Sequence, residues 1–340
     1  MKMTERISAL AALGKAIHDL TEEEKEMLHQ KAASCNNWFT KDSIELALQG
    51  IELFLDKNKL EKWVAPYRLE PEEPKKVGVV MAGNIPLVGF HDFLSVLLSG
   101  HQLHMKFSAQ DPYLPDYLSQ KLIAIAPEFT SYIVKADLLK GMDAIIATGS
   151  DNSSRYFEYY FSGLPHIIRK NRTSCAVLTG LETTENLTAL GKDIFQYYGL
   201  GCRNVSKLYV PQNFDFNPLF ECLQSYQKVI SNHKYNNNYD YNKSIYLVNK
   251  EDHLDTGFLL LRETQEMVSP ISVVYYEYYK DRDDLEKKLT DQKDKIQCVI
   301  GNHKENSGFV AFGNSQMPGL QDYADNIDTL KFLEDFSSKK

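Results

Sequence analysis

The stretch Val77-Gly78-Val79-Val80-Met81-Ala82-Gly83-Asn84-Ile85-Pro86 sets a short apolar run directly before a turn, and a helical run to Leu98 follows it. An apolar run without polar alternation is typical of a strand that is buried on both faces. The pattern recurs, because strand-like runs at 102–107 and 144–147 are separated by a helical run at 114–126. Strands that alternate with helices predict an α/β fold with parallel strands and βαβ crossovers.

The chain before this stretch has a different pattern. Residues 4–60 are predicted to be helical, because apolar residues recur there at helical spacing, beginning with Ile7, Leu10, Leu13 and Ile17. Residues 66–76 are rich in proline and charge, and we predict a connector there.

The chain after residue 171 is predicted to form a second α/β region. Its expected strands are 174–179, 207–210 and 272–277. The segment 232–243 is rich in asparagine and tyrosine, and we predict a polar loop there. Opposite charges at helical spacing predict an exposed helix at 280–295.

Composition excludes several classes of protein. The chain has 340 residues and a formal net charge of -8, which suits two domains and argues against nucleic-acid binding. No apolar run reaches the ~20 residues that span a bilayer. The five cysteines have no regular spacing, which fits free thiols, and with no signal-peptide pattern we predict a cytoplasmic protein. The histidines and cysteines lack metal-ligand spacing, so no metal site is predicted.

Cys202 is the first candidate for chemistry. It lies in Tyr198-Gly199-Leu200-Gly201-Cys202-Arg203-Asn204-Val205-Ser206, directly before the strand expected at 207–210. Neighbouring glycines allow a ligand to approach the sulfur closely, which favours a thiol nucleophile. An isolated cysteine is more often an inert buried residue, so both interpretations stay open.

Two strand ends carry further candidates. The amide of Asn84, at the end of the first strand, is placed to donate a hydrogen bond to a developing oxyanion, although Gly83-Asn84-Ile85-Pro86 is also an ordinary turn sequence. Thr148-Gly149-Ser150 joins a strand to a helix, where exposed N–H groups suit a pyrophosphate. Serine and aspartate at that point also cap any helix, so this signal alone is weak.

Taken together, these segments resemble the aldehyde dehydrogenase superfamily, and in particular the LuxC-type acyl-CoA reductases. Gly199-Leu200-Gly201-Cys202 matches the superfamily's Gly-x-x-Cys nucleophile motif, and Gly83-Asn84-Ile85-Pro86 is similar to its Trp-Asn-Phe-Pro segment. Lys106-Phe107-Ser108 is similar to Lys-Pro-Ser, and Ala147-Thr148-Gly149-Ser150 to Phe-Thr-Gly-Ser. Glu266-Met267-Val268-Ser269-Pro270 is similar to Glu-x-Phe-Gly-Pro. The motifs occur in the family's order, and the resemblance covers about residues 60–335.

The resemblance implies a fold and a division of the chain. The expected fold is α/β and aldehyde dehydrogenase-like, with two Rossmann-like domains, parallel sheets and an N-terminal helical segment. The expected domains are the helices with a dinucleotide-binding domain at 1–175, a catalytic domain carrying Cys202 at 176–312, and a C-terminal segment at 313–340.

The resemblance also implies roles for individual residues. Cys202 is the expected nucleophile and Asn84 the expected oxyanion donor. The expected cofactor-binding residues are Lys106, Ser108, Thr148, Gly149, Ser150 and Glu266.

Two departures from the family pattern bear on the reaction. Hydrolytic aldehyde dehydrogenases carry a Glu-Leu-Gly-Gly segment whose glutamate activates water, whereas the matching stretch here is Arg169-Lys170-Asn171-Arg172. Without that base, a thioacyl enzyme is expected to hydrolyse slowly and to accept hydride instead. These cations could alternatively lower a thiol pKa, meet CoA phosphates, or form a plain basic turn. Ala109 stands where NAD-preferring relatives often have an acid, which favours NADPH, with NADH as the alternative.

The expected function is an acyl-CoA reductase that forms a fatty aldehyde through a thioacyl-cysteine. The alternatives are an aldehyde dehydrogenase working in the oxidative direction with NAD(P)+, and a non-catalytic acyl-binding scaffold. The resemblance implies an acyl-CoA or acyl-protein substrate, a homo-oligomer and an acyl-transferring partner protein.

Overall fold

A computed structural model describes residues 1–149, 151–302, 306 and 308–337, with residue 151 described by its backbone alone. The chain divides into two compact units: a first unit of Met1–Lys170 with Gly319–Lys340, and a second unit of Asn171–Pro318. The domain boundaries expected at 175 and 312 stay a prediction. Ser150, an expected cofactor-binding residue, lies outside the described residues.

The first unit is built on a parallel sheet of five strands in the order β3-β2-β1-β4-β5. The strands are β1 (Lys76–Val80), β2 (Gln102–Lys106), β3 (Ile133–Lys135), β4 (Ala144–Thr148) and β5 (His166–Arg169). Val79 of β1 lies opposite Met105 of β2 and Ile146 of β4, and all three are fully buried. The apolar run that begins at Val77 therefore forms the central strand β1, which confirms the predicted α/β class.

Helices surround this sheet, and the predicted helices of residues 4–60 are confirmed. The helices of the first unit are α1 (Met3–His18), α2 (Glu22–Cys35), α3 (Lys41–Phe54), α4 (Lys57–Val64), α5 (Phe90–Ser99), α6 (Tyr113–Ile125), α7 (Asp151–Phe161) and α12 (Thr329–Ser337). The apolar stripe of α1 is buried, with Leu10 and Leu13 at 0% exposure. Helix α12 returns to the first unit, where Ser337 Oγ lies 2.7 Å from His101 Nε2.

The second unit contains a six-stranded sheet in the order β11-β6-β7-β10-β9-β8. The strands are β6 (Thr173–Val177), β7 (Val205–Pro211), β8 (Leu254–Asp255), β9 (Leu260–Glu263), β10 (Val273–Tyr279) and β11 (Ile296–Ile300). All pair in parallel except the edge strand β8, which runs antiparallel to β9. The helices are α8 (Thr184–Phe195), α9 (Asn217–Leu223), α10 (His233–Asn249) and α11 (Arg282–Asp291).

The predicted loop at 232–243 is wrong, because this segment forms most of α10. Asn232 caps the helix, with its Oδ1 accepting hydrogen bonds from the Lys234 and Tyr235 N–H groups. Tyr235, Tyr239 and Tyr246 recur at helical spacing and are at most 4% exposed. The tyrosines are therefore the apolar stripe of the helix. The charged helix predicted at 280–295 is confirmed as α11.

Every helix in the described parts of the chain is too short or too polar to cross a lipid bilayer.

Candidate active site

The Cys202 loop lies at the amino end of β7 and is entered through an unusual turn. Tyr197, Tyr198 and Gly199 have φ angles of 51°, 58° and 78°, so three consecutive residues adopt the left-handed conformation. Only glycine adopts this conformation without strain, and tyrosines in it persist where the surroundings hold them. Cys202 follows this turn and is half-buried.

Asn204 holds this loop in place. Its buried Oδ1 accepts a hydrogen bond from the Gly201 N–H at 2.8 Å. Its Nδ2 lies 2.8 Å from the Gln196 carbonyl oxygen and 3.1 Å from that of Asp193, at the end of α8. The loop is held from the other side by Ser174, whose hydroxyl donates to the Cys202 carbonyl at 3.1 Å. Sequence reasoning missed Asn204, because its partners lie 3 to 11 positions away in no regular pattern.

A cavity of about 180 Å³ opens beside Cys202. It lies at the amino ends of β6, β7 and β10, because its walls include Thr173, Val205 and Val273. It brings the Cys202 loop together with the segment 268–274, which continues the Glu266 motif. None of the described residues that line it is an aspartate or a glutamate.

Glu266 itself is exposed, and its segment is fixed to β7. The fully buried Lys207 donates through Nζ to the carbonyl oxygens of Thr264 and of Glu266, the latter at 3.2 Å. Ser206 Oγ donates to the Met267 carbonyl at 2.7 Å. The strand that follows Cys202 therefore positions the main chain of the expected cofactor residue.

Lys207 is a second residue that sequence reasoning missed. Its Nζ also contacts Glu277 Oε2 at 2.8 Å, and Lys288 contacts the other oxygen of Glu277 at 2.5 Å. Burial lowers the pKa of Lys207, and the hydrogen bond that Lys207 donates to Glu277 opposes that shift. A lysine within a strand carries no signal of such a role, because the signal lies in partners more than 50 residues away.

The basic segment 169–172 divides into three roles. Arg169 is buried and contacts Asp92 Oδ2 at 2.5 Å and Thr329 Oγ1 at 3.0 Å, so it is a structural residue of the first unit. Lys170 pairs with Glu158 on the surface at 3.0 Å. Asn171 and Arg172 line the cavity beside Cys202. Arg172 is therefore the cation of this segment that the structure places near the candidate nucleophile.

The expected residues of the first unit gather at the carboxyl ends of β1, β2 and β4. The half-buried Asn84 follows β1, and Lys106 ends β2 directly opposite Val80. Thr148 ends β4, next to β1 in the sheet. The strand order reverses between β1 and β4, and ligands of open α/β sheets bind outside the carboxyl ends of strands at such a point.

Close packing at this edge explains why two of its positions are glycine. A Cβ on Gly149 would lie 2.8 Å from the Ser153 Cβ, and a Cβ on Gly83 would lie 2.8 Å from the Ser108 Cβ. Any larger residue would push these turns apart, so glycine keeps the main chain close to its neighbours. Asn84 and the expected residues Lys106, Ser108, Thr148 and Gly149 belong to the first unit, whereas Cys202 and Glu266 belong to the second.

A comparison with known protein families shows which family the chain belongs to. The profile of the family described as "Acyl-CoA reductase (LuxC)" matches residues 10–234. The chain belongs to the LuxC family. The match includes Asn84, Lys106 and Cys202, whereas Glu266 lies beyond it. The family resemblance drawn from the sequence motifs is thereby confirmed.

A curated relative of this LuxC family member is a long-chain acyl-protein thioester reductase of Photorhabdus laumondii subsp. laumondii. The two are 22% identical over 191 residues, which cover 51% of this chain and 39% of that protein. The matched part therefore spans well under half of the relative's length.

Solved structures confirm the aldehyde dehydrogenase-like fold of the LuxC chain. An aldehyde dehydrogenase of Bacillus cereus in complex with NAD+ superposes with a TM-score of 0.63 at 14% identity, over 90% of this chain and 74% of that one. An aldehyde dehydrogenase of Physcomitrella patens in complex with succinate gives a TM-score of 0.68 at 13% identity, over 99% of this chain and 84% of the other. At such identities the likeness concerns the fold.

Proposed function

We propose that this protein reduces an acyl thioester to an aldehyde with a nicotinamide cofactor, through a thioacyl intermediate on Cys202. The observation that carries the proposal is the cavity beside Cys202, whose described lining includes Arg172 and no carboxylate. A thioacyl enzyme needs a general base to be hydrolysed at a useful rate. A site without that base favours release of aldehyde over release of acid.

The proposed first step uses the protein's own groups. The Cys202 thiolate attacks the thioester carbonyl, a carbon–sulfur bond forms, and the substrate thiolate leaves and takes up a proton. The Asn84 amide and the Cys202 N–H donate hydrogen bonds to the oxyanion that develops. The Asn204 and Ser174 hydrogen bonds hold the Cys202 loop still, so little rearrangement is needed as the bond forms.

The cofactor residues fit a dinucleotide by their chemistry. Lys106 brings an ammonium group to the end of β2, the strand next to β1 at the switch point, and Thr148 and Gly149 lie at the end of β4 on the other side of that point. Glu266 has an exposed carboxylate, which suits the hydroxyl groups of a ribose. When bound, the nicotinamide cofactor supplies the hydride that reduces the thioacyl carbon. The protein then releases the aldehyde as the carbon–sulfur bond breaks and Cys202 leaves as the thiolate.

We propose a preference for NADPH over NADH. Ala109 is exposed in the turn after Lys106, so no carboxylate at that position would repel a 2′-phosphate. The ratio of kcat/KM with the two cofactors tests this preference. Ala109→Glu is expected to lower kcat/KM with NADPH and leave that with NADH within about twofold.

The donor of the acyl group is proposed to be acyl-CoA or an acyl-protein. The Photorhabdus relative is named for its action on an acyl-protein thioester. A homo-oligomer and an acyl-transferring partner belong to the same proposal and follow from the family resemblance. A cytoplasmic location is also proposed, and it follows from the unpatterned cysteines and the lack of a signal-peptide pattern.

The test is NADPH consumption, followed at 340 nm, with acyl-CoAs from short to long chain length. The wild type is expected to consume NADPH and release aldehyde, whereas Cys202→Ala is expected to show neither consumption nor acyl labelling. Cys222→Ala, at a half-buried cysteine on α9, is the matched control and should behave as the wild type. Free acid as the product from aldehyde and NADP+ would favour the oxidative alternative, and full turnover by Cys202→Ala would refute the thioacyl scheme.

A further inference from the structure

The turn that carries Asn84 is packed directly against the turn that follows β2. The close approach of Gly83 to Ser108 places the two main chains in contact, and a Cβ on Gly83 would also lie 3.0 Å from the Asp111 nitrogen. The Met81 N–H donates to the Lys106 carbonyl at 3.0 Å, which fixes the start of the Asn84 turn to the end of β2. The two turns are therefore in close contact at this edge.

One side chain joins the far ends of these turns. Asp111 is 2% exposed, and its Oδ2 accepts a hydrogen bond from the Leu87 N–H at 2.8 Å. The other oxygen, Oδ1, is buried without a hydrogen-bond partner. A buried carboxyl group with an unpartnered oxygen is costly, which indicates that its other contacts matter.

The residue that Asp111 holds is itself strained. Leu87 has a φ angle of 57°, in the left-handed region that a leucine rarely adopts. It stands three residues after Asn84, and its carbonyl accepts the Phe90 N–H at 2.9 Å where α5 begins. The turn of Asn84 is therefore held at Met81, which is fixed to β2, and at Leu87, which is held by Asp111. The Gly83 carbonyl, directly before Asn84, also accepts a hydrogen bond from Asn36 Nδ2 at 3.2 Å.

Resting on the proposed function, we propose that Asp111 is a positioning residue for the oxyanion donor Asn84. By holding Leu87 in the left-handed conformation, the Asp111 carboxyl group sets where the Asn84 turn ends and so where its amide points. A displacement of a donor by about 1 Å costs up to about a hundredfold in rate, so this hold matters for turnover.

The arrangement separates this role from cofactor binding. The turn that follows Lys106 has hydrogen bonds of its own, because the Asp111 N–H donates to the Ser108 carbonyl at 3.2 Å and the Gln110 N–H donates to Ser108 Oγ at 3.1 Å. Neither bond uses the Asp111 carboxyl group. Removing that group should therefore free the Asn84 turn while the Lys106 turn keeps its shape.

The experiment compares Asp111→Leu, which has no acceptor, with Asp111→Asn, which keeps one oxygen for the Leu87 N–H. Three quantities are measured: kcat, the KM for NADPH, and the rate of Cys202 acylation by acyl-CoA without NADPH. Asp111→Leu is expected to lower kcat and the acylation rate about tenfold with the KM for NADPH unchanged, and Asp111→Asn to restore both rates to within about threefold of the wild type. Asp116→Asn, at a half-buried carboxylate of α6 that pairs with Lys135, is the matched control.

A double-mutant cycle with Asn84→Ala decides whether Asp111 acts through Asn84. If Asp111 acts through Asn84, Asp111→Leu lowers neither kcat nor the acylation rate any further in the Asn84→Ala background, because the amide that Asp111 positions is already absent. Equal losses in both backgrounds, or a raised KM for NADPH with kcat unchanged, would overturn the inference. Asp111→Ser, whose hydroxyl is too short to reach the Leu87 N–H, provides the same comparison should Asp111→Leu not fold.

Failure of the proposed function gives a different result. If Asn84→Ala and Cys202→Ala both keep full activity, the reaction scheme is wrong whatever the Asp111 variants do. If both lose activity while Asp111→Leu keeps it, the scheme stands and the positioning role is wrong.

Discussion

The two units use opposite edges of similar sheets. In the first unit, the expected site residues follow the carboxyl ends of β1, β2 and β4. In the second unit, Cys202 and its cavity lie at the amino ends of β6, β7 and β10. The first edge is where parallel α/β sheets ordinarily bind ligands. The second edge has no such general advantage, so it must be constructed from individual side chains.

The construction of the second edge is visible in its buried polar groups. Asn204, Ser174 and Lys207 all direct side chains to main-chain carbonyl oxygens of the Cys202 loop or the Glu266 segment. In the first unit, backbone turns and close-packed glycines do much of this work, and two buried side chains, Asn36 and Asp111, also bond to the main chain of the Asn84 turn. The comparison predicts that the edge of Cys202 is the more sensitive to single substitutions.

The largest expected effect is at Lys207. Lys207→Met leaves the carbonyls of Thr264 and Glu266 and one oxygen of Glu277 without their buried partner, and should lower the free energy of unfolding by about 3 kcal/mol. The KM for NADPH should rise in the same variant, because the Glu266 segment loses its attachment. Urea unfolding and steady-state kinetics measure the two effects. Lys288→Met, at the more exposed partner of Glu277, is the control, and an equal loss there would contradict a special role for Lys207.

Asn204→Ala should have the next largest effect. It leaves the Gly201 N–H and the carbonyls of Asp193 and Gln196 unpaired, which should cost about 2 kcal/mol of stability. Because the left-handed turn before Cys202 loses its hold, the rate of Cys202 acylation should fall as well. Thermal unfolding and acylation by a radiolabelled acyl-CoA provide the measurements. Asn237→Ala, on the exposed face of α10, should change neither, and an unchanged acylation rate in Asn204→Ala would weaken the comparison.

The pH dependence of stability tests the role of Asp111 at the edge of the first sheet. Burial raises the pKa of Asp111 to about 7, above its value in the unfolded chain. The folded protein therefore binds the proton of Asp111 more tightly than the unfolded protein does. The resulting contribution to the free energy of unfolding is fully present below about pH 4 and is lost as the pH rises through 7. Between pH 5 and 8 the free energy of unfolding of the wild type should fall by about 2 kcal/mol more than that of Asp111→Asn, because asparagine does not titrate. Parallel pH dependence of the two melting temperatures would show that Asp111 does not titrate in this range.

The smallest effect is expected at the surface pair Lys170–Glu158. Their side chains are 60% and 47% exposed, and exposed pairs contribute less than about 1 kcal/mol. Lys170→Ala should therefore leave the melting temperature and kcat nearly unchanged, whereas Arg172→Ala, at the cavity, should lower kcat/KM. A large fall in kcat/KM for Lys170→Ala would show that Lys170 contributes to the reaction as well as Arg172, and would contradict the different roles assigned to these two residues.

Much of the fold was predictable because it follows from local patterns. The buried run before Gly83 and the run after Cys202 carry their signals within ten residues, and the strands predicted there are present as β1 and β7. The loop predicted at 232–243 was wrong because the tyrosines of α10 were taken as polar, although their rings form its buried face. Lys207 and Asp111 could not be found, because a long-range hydrogen bond leaves no periodicity in the sequence, and Asn204 was missed because its nearby partners follow no regular spacing. The roles of Asn84, Cys202 and Glu266 stay predictions.

The return of α12 to the first unit has a consequence for how the protein is made. The second unit is one continuous segment, whereas the first is interrupted and completed by residues 319–340. Leu330 and Leu333 are fully buried in its core, and Thr329 closes the contact with Arg169. On the ribosome, the second unit can therefore finish folding as it emerges, while the core of the first unit stays open until α12 has emerged. A stalled or shortened product would expose the apolar surface that α12 covers and would be a target for chaperones and proteases.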